Sequence, residues 1–274
     1  MDLLSVVLTL RPSRQASLPP RLGRASRAIL LERIAEADPM LAETLHGGQG
    51  PKPYTCSNLM GPREGSGFVF PGASYTLRYT ALRAPVAAAL DEAFEAQTEV
   101  GFEGVPFAME ARTADEEASP WAGHDTYQEM AARHLRPSRP APEPSFRFLL
   151  ASPTGFQSQG RTIPLPLPGP FFGSLVRRWN AFAPLALPEE DVRRYADEMM
   201  VVSRFSLRSE PGWDRGRALR IGAVGEITFR ALSRDKYWLS VLHLLADYAR
   251  FAGVGAMTTM GMGQVRHVAL HGKR

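Results

Sequence analysis

The chain has 274 residues, 44% of them hydrophobic and 22% charged, which excludes a disordered or fibrous protein. No apolar run approaches the ~18 residues that a membrane span needs. The N-terminus has neither the basic start nor the cleavage site of a signal peptide, so we expect a cytoplasmic protein without a membrane partner. The single cysteine, Cys56, excludes a disulfide framework and a cysteine-built zinc site, and we expect no cofactor or metal.

The charges are separated along the chain. The net charge is +4 over residues 1–33, −8 over residues 34–137 and +8 over residues 138–274. A G+C-rich genome would explain why 29 of the 32 basic residues are arginine, but codon bias would not segregate the charges. The segregation favours a polyanion lying across the first helix and the C-terminal half.

From its start the chain predicts strand, helix, strand, strand, helix and strand. Residues 3–12 are rich in β-branched and aliphatic side chains and predict the opening strand. Apolar residues at helical spacing predict a helix over residues 22–37. A second short helix precedes Gly47 and Gly48, and another helix starts at Pro85 between glycine-bounded strands.

A proline-rich segment divides the chain. Four of the ten residues from 136 to 145 are proline, without an apolar period, which predicts a linker. The strand and helix order then repeats, with one additional helix. Two successive βαββαβ units are the ferredoxin-like arrangement. We therefore expect an α+β protein with an N-terminal ferredoxin-like domain over 1–137, a linker over 138–144 and a C-terminal ferredoxin-like domain over 145–274.

A glycine-rich loop precedes the closing strand. Its glycines and threonines are Gly253, Gly255, Thr258, Thr259, Gly261 and Gly263. Open amides in such a loop can form an anion-binding concavity, and glycine lets the backbone approach a partner closely. The alternative interpretation, a glycine-rich connection that only permits close packing, carries equal weight at this stage.

A histidine lies at the end of a helix beside three glycines. His46 is followed by Gly47, Gly48 and Gly50, with Lys52 six residues further on. A lone histidine is usually structural or simply exposed. On a glycine-flanked turn it has no core to join, which favours catalysis, because imidazole exchanges protons near neutral pH and a nearby lysine can stabilise developing negative charge.

Four blocks of the chain resemble the CRISPR-associated repeat endoribonucleases of the Cas6 family. They are GVGAMTTMGMGQV, ASPTGFQSQGRTIPLPLPGPFFGSLVRRWNAF, LHGGQGPKPYTCS and SPWAGHDTY. The resemblance implies tandem ferredoxin-like domains and metal-independent cleavage of the repeat in precursor CRISPR RNA. In that chemistry a 2′-hydroxyl attacks the adjacent phosphate and leaves a 5′-hydroxyl and a cyclic phosphate.

The resemblance also implies an active site. His46 matches the histidine position of the family, and Lys52 matches a lysine of some members. The tyrosine that some members carry on the first helix has no counterpart in residues 22–37. This departure puts a tyrosine–histidine–lysine triad in doubt and does not exclude cleavage.

We expect repeat RNA as the partner, with the polyanion contacts on basic and loop residues. The candidates are Arg24, Arg27, Arg161, Arg177, Arg178, Gly255, Thr258, Thr259 and Gly261. For Arg177 and Arg178 a solvated helix face is an equally weighted interpretation. Further CRISPR effector subunits and a homodimer stay open as partners.

Two other functions stay open. One is a catalytically silent subunit that binds CRISPR RNA, for which a missing or buried histidine would be the mark. The other is a ferredoxin-like scaffold that does not bind nucleic acid and whose arginine content is only genomic.

Overall fold

The protein is described from a computed structural model covering residues 1–64, 67–95, 98–136, 142–158, 160–215 and 218–268. The chain forms two compact units. The first contains Met1–Asp125 and Thr259–Gly261, and the second contains Thr126–Thr258 and the residues from Met262 onward. Each unit is α+β, as the sequence predicts.

The first unit contains both strands and helices. Its elements in chain order are β1 (Leu3–Pro12), β2 (Ala16–Ser17), α1 (Gly23–Ala37), α2 (Pro39–His46), β3 (Tyr54–Cys56), β4 (Phe68–Val69), β5 (Tyr75–Ala81), α3 (Ala84–Ala93), β6 (Glu99–Phe102), β7 (Val105–Thr113) and β8 (Gly123–Asp125).

The main sheet of this unit has the strand order β3–β5–β1–β7–β6, with β8 also paired to β1, and all pairs are antiparallel. The order β3–β5–β1–β7 is that of a ferredoxin-like fold with β1 in the centre. Its core side chains on β1, including Leu4, Val6 and Leu8, are at most 1% exposed. Leu30 and Ile34 of α1 join the same apolar cluster.

The second unit repeats the arrangement. Its elements are α4 (Tyr127–Leu135), β9 (Ser145–Thr154), β10 (Phe156–Ser158), β11 (Arg161–Ile163), α5 (Pro168–Phe182), α6 (Glu189–Met199), β12 (Met200–Arg215), β13 (Ala218–Ala231), α7 (Lys236–Ala252) and β14 (Val265–Val268). A 3₁₀ turn, Thr258–Met260, lies between α7 and β14, and its last two residues are assigned to the first unit.

The sheet of the second unit has the order β12–β13–β9–β14, which is again ferredoxin-like. Aromatic rings fill its core. The ring centroids of Phe148 and Phe171 lie 4.6 Å apart, and those of Phe171 and Phe229 lie 5.2 Å apart. The predicted fold class, α+β with two tandem ferredoxin-like units, is therefore confirmed, whereas the predicted domain bounds stay a prediction.

The sequence analysis did not predict every element of the fold. It did not predict the β10–β11 hairpin, β6, β8 or α4. Helix α4 is short and largely polar, and its start is marked by a capping interaction in which Thr126 Oγ1 accepts a hydrogen bond from Glu129 N at 3.0 Å. Tyr127 then packs edge-on against Trp179, with ring centroids 5.1 Å apart. Residues 138–141 of the predicted linker 138–144 lie outside the described residues.

One arginine of the acidic segment lies in the core. Arg78 on β5 is 1% exposed, and its guanidinium carbon lies 4.9 Å from the Trp121 ring centroid. Its Nη1 donates to Ser5 Oγ at 3.3 Å. A cation–π contact and a buried hydroxyl therefore accommodate the charge, and Arg78 forms part of the packing between β1, β5 and the segment before β8.

Candidate functional site

His46 ends a short amphipathic helix. Asp38 caps the start of α2, accepting a hydrogen bond from Leu41 N at 2.9 Å. Ala42 and Leu45 turn inward, whereas His46 is exposed at the last position of the helix. The chain then leaves the helix through a glycine turn, so no side chain follows His46 closely, and its imidazole is accessible to a substrate.

Lys52 folds back onto this turn. Its Nζ donates to the carbonyl oxygens of Gly47 and Gly48, the latter at 3.1 Å, and approaches that of His46 at 3.5 Å. These carbonyls lie at and just beyond the negative C-terminal end of α2, where a positive charge is stabilising. Burial, followed by the charge of Arg27, lowers the pKa of Lys52. The Lys52 ammonium therefore contacts the backbone of the turn that begins at His46, the other residue that the sequence selected as catalytic.

A tyrosine from the sheet holds an arginine of the first helix. Arg27 Nε donates to the phenol oxygen of Tyr54 at 2.9 Å. Tyr54 lies on β3, is completely buried, and has its pKa raised by that burial, so the phenol stays protonated. The charge of Arg27 also lowers the pKa of Lys52, so the two cations share one electrostatic environment. The sequence analysis did not select Tyr54. The feature that could have identified it is its position in a predicted strand, two residues after Lys52.

The last part of the glycine-rich loop belongs to the first unit. The Asn58 side chain accepts a hydrogen bond from Leu22 N at 3.0 Å and donates to Gly261 O at 3.4 Å. A Cβ on Gly23 would lie 2.1 Å from Met260 O. This close packing places residues 259–261 at the start of α1, the helix that also carries the exposed Arg24.

The earlier part of the loop uses its amides within the second unit. Gly255 N donates to Ser174 Oγ at 3.1 Å, and Ala256 N donates to Gly155 O at 2.9 Å. Gly255 has φ +77°, and a Cβ there would lie 2.4 Å from Gly155 O. Close packing therefore accounts for Gly255, and its amide and that of Ala256 are already occupied rather than open to an anion.

Two adjacent arginines of α5 have different surroundings. Arg177 is exposed, and its Nε donates to Glu189 Oε1 at 3.3 Å. Arg178 is partly buried and donates to Ala252 O, to Gly255 O at 2.9 Å and to Thr258 Oγ1 at 2.7 Å. Burial lowers the pKa of Arg178 to about 10, so it remains charged at neutral pH.

The remaining RNA-binding candidates differ in exposure. Arg161 is exposed at the start of β11. Thr258 is 4% exposed and its hydroxyl accepts a hydrogen bond from Arg178, whereas Thr259 is partly exposed. Cys56 is buried, and its burial raises the thiol pKa, so it is not a reactive nucleophile.

Two features, a metal-binding group and a membrane-spanning helix, are absent from the described part of the chain. Among those residues, no three histidine, cysteine, aspartate or glutamate side chains are grouped so that they could hold a metal ion. No helix within the same residues has the length and apolar character required to cross a membrane.

Sequence comparison relates part of the chain to known proteins. A family profile described as "CRISPR-associated endoribonuclease Cas6" matches residues 148–265. The Cas6 endoribonuclease of Streptococcus thermophilus is 28% identical over 123 residues, which cover 44% of this chain and 49% of that protein. The Mycobacterium tuberculosis Cas6 is 28% identical over 121 residues, covering 44% and 38%. The chain thus spans about half the length, or less, of these curated relatives.

Structural comparison covers nearly the whole chain. A product complex of Thermus thermophilus Cas6 superposes with a TM-score of 0.80 at 26% identity, over 97% of this chain and 99% of that chain. A second Cas6 product complex gives a TM-score of 0.76 at 28% identity, over 98% and 100%. With the two ferredoxin-like sheets, these matches show that the chain is similar in fold to Cas6 proteins over nearly its whole length.

Proposed function

We propose that this chain is an endoribonuclease that binds CRISPR repeat RNA in precursor transcripts and cleaves it to give mature CRISPR RNA. The similarity to Cas6 proteins supports this, since the similar Cas6 structures include product and substrate-mimic complexes. The observation that carries the proposal is the exposed His46 beside Lys52, with Arg27 in the same electrostatic environment.

The proposed reaction needs no metal. The 2′-hydroxyl oxygen of one nucleotide attacks the adjacent phosphorus, the bond from phosphorus to the 5′ oxygen breaks, and a cyclic phosphate and a 5′-hydroxyl result. One proton leaves the 2′-hydroxyl and one is delivered to the departing 5′ oxygen. An imidazole can perform either transfer near neutral pH, so His46 acts as the general acid or the general base.

The cations have distinct tasks in this proposal. The phosphorus centre gains negative charge as the 2′ oxygen attacks, and nearby positive charge stabilises it. Lys52 adds charge beside His46 and, through its bonds to the turn carbonyls, holds the turn in place. Arg27 supplies a second charge from α1, oriented by the phenol of Tyr54. Exposed Arg24 on the same helix supplies a further positive charge for the phosphates of the RNA.

The second candidate is a silent RNA-binding subunit. Its expected mark is a missing or buried histidine, and His46 is present and exposed. This observation favours the enzyme over the silent subunit. The non-nucleic-acid scaffold predicts that repeat RNA does not bind at moderate salt.

The test uses a synthetic RNA that carries a CRISPR repeat from the genome that encodes the chain. We expect wild-type protein to cleave it with EDTA present, and His46→Ala to lose about 10²–10⁴-fold in single-turnover rate while RNA binding stays near wild type. His124→Ala is the matched control, because His124 is also an exposed histidine of the first unit. Its rate should equal that of wild type.

Three results would contradict the proposal in different ways. Near-normal cleavage by His46→Ala removes this histidine from the mechanism. Inhibition by EDTA that added metal reverses contradicts the metal-independent chemistry. Binding of the repeat RNA without cleavage by wild-type protein points to the silent subunit.

A further inference from the structure

Helix α5 holds the glycine-rich loop with two side chains on one face. Ser174 and Arg178 are four residues apart, so they are neighbours along the helix surface. Ser174 Oγ accepts from Gly255 N at 3.1 Å and donates to Phe171 O at 2.9 Å. Arg178 donates to the carbonyls of Ala252 and Gly255 and to the hydroxyl of Thr258. These contacts span residues 252–258, which we call the loop base.

The geometry requires a guanidinium. Nη1 of Arg178 reaches both Ala252 O and Thr258 Oγ1, while Nη2 reaches Gly255 O. The rigid fork of arginine can serve three acceptors in fixed directions, whereas the lysine ammonium is a single point on a flexible stem. An exchange of arginine for lysine would therefore lose the arrangement of the loop base while keeping the charge.

The charge of Arg178 is not explained by packing alone. Among the described residues no carboxylate forms an ion pair with it, and its acceptors are neutral carbonyls and a hydroxyl. Burying a cation without a counter-charge is costly, and an apolar residue of similar size would pack there at lower cost. The hydrogen bonds to the loop base offset this cost, and they tie the guanidinium to the conformation of the loop base.

We propose that Arg178 is a positioning residue that sets the conformation of the loop base for RNA binding, without touching RNA itself; this inference rests on the proposed function. The donors of Arg178 point into the protein, so its effect reaches RNA through the loop. The neighbouring residues 255–257 are partly exposed and present the surface that this conformation shapes. Arg178 therefore differs from Arg177, whose exposed side chain suits a direct phosphate contact.

The test measures the affinity of the repeat RNA for folded protein at several salt concentrations. We expect Arg178→Lys to bind about ten- to 100-fold more weakly, since charge-assisted hydrogen bonds to the loop base are lost. Arg178→Gln should also bind weakly, with an unchanged dependence of log affinity on log salt. In single-turnover cleavage both variants should need more RNA for half-saturation, with a limiting rate within about twofold of wild type.

Two further variants complete the design. Thr258→Val removes one acceptor of Arg178 and keeps the side-chain shape, so it should weaken RNA binding by a smaller factor, about threefold to tenfold. It keeps the proposal testable if the Arg178 variants do not fold. Arg194→Lys is the matched control, because Arg194 is an exposed arginine of α6 paired with Asp191. Its affinity should match that of wild type.

The outcomes separate the alternatives. A salt slope lower by ~0.7 in Arg178→Gln would show a direct phosphate contact, and near-wild-type binding by Arg178→Lys would show that the guanidinium fork is dispensable; either result would overturn the positioning role. A lower melting temperature with unchanged RNA affinity of the folded variants would show a role in stability only and overturn it as well. If wild-type protein does not bind repeat RNA, the proposed function itself fails.

Discussion

A single methyl group at Gly261 should destabilise the first unit. Gly261 has φ +86°, and a Cβ there would lie 2.6 Å from Asn58 Oδ1. The left-handed backbone costs an alanine about 1–2 kcal/mol. Moving Asn58 also breaks its hydrogen bond from Leu22 N, worth about 1 kcal/mol. We therefore expect Gly261→Ala to lower the free energy of unfolding by about 2–3 kcal/mol.

The matched control is Gly104→Ala in the turn between β6 and β7. Gly104 has φ +74° and no heavy atom within 4 Å of its Cβ position, so its substitution adds strain without a clash. Thermal unfolding should show a decrease of about 4–12 °C for Gly261→Ala and a smaller one for Gly104→Ala. Equal decreases for the two variants would refute the assignment of Asn58 as the group that excludes a side chain. That a side chain at position 261 also impairs RNA binding stays a prediction.

Two further predictions concern charge. Burial lowers the pKa of His243 below its unfolded value of about 6.5, so stability present above that value is lost as the pH falls toward the folded pKa. Urea unfolding between pH 7 and 5 should show this decrease, and His243→Gln should flatten it; an equally steep decrease in the variant would contradict this origin. Arg24→Gln should lower the salt slope of RNA affinity by ~0.7, whereas Arg83→Gln in the acidic segment should not, and equal slopes for the two variants would remove Arg24 from the RNA path.

The surroundings of the glycine-rich loop explain why glycine is required at two of its positions. The sequence left an anion-binding concavity and close packing as alternatives. At Gly255 and Gly261 the structure shows close packing, against Gly155 O and the Asn58 amide respectively. Glycine is required there because backbone and side-chain atoms occupy the space a Cβ would need. A contribution of the loop to RNA binding therefore depends on its shape and on its partly exposed residues.

The sequence by itself determined the architecture. Strand and helix periodicities are local, so two βαββαβ units, the helices α1 and α2, and the position of His46 at a helix end followed from residue order and turn chemistry. The capping of α4 by Thr126 was equally local, but its pattern of only two buried residues was too weak to find it.

Only the tertiary structure decided which polar side chains meet. Arg178 and Thr258 are 80 positions apart, and Arg27 and Tyr54 are 27 apart, so no local pattern pairs them. Arg78 illustrates the same limit: its charge suggests a surface, yet Trp121 and Ser5 from distant segments enclose it. The partners of a guanidinium depend on how helices pack on the sheet, and this packing is a property of the whole fold rather than of any short segment.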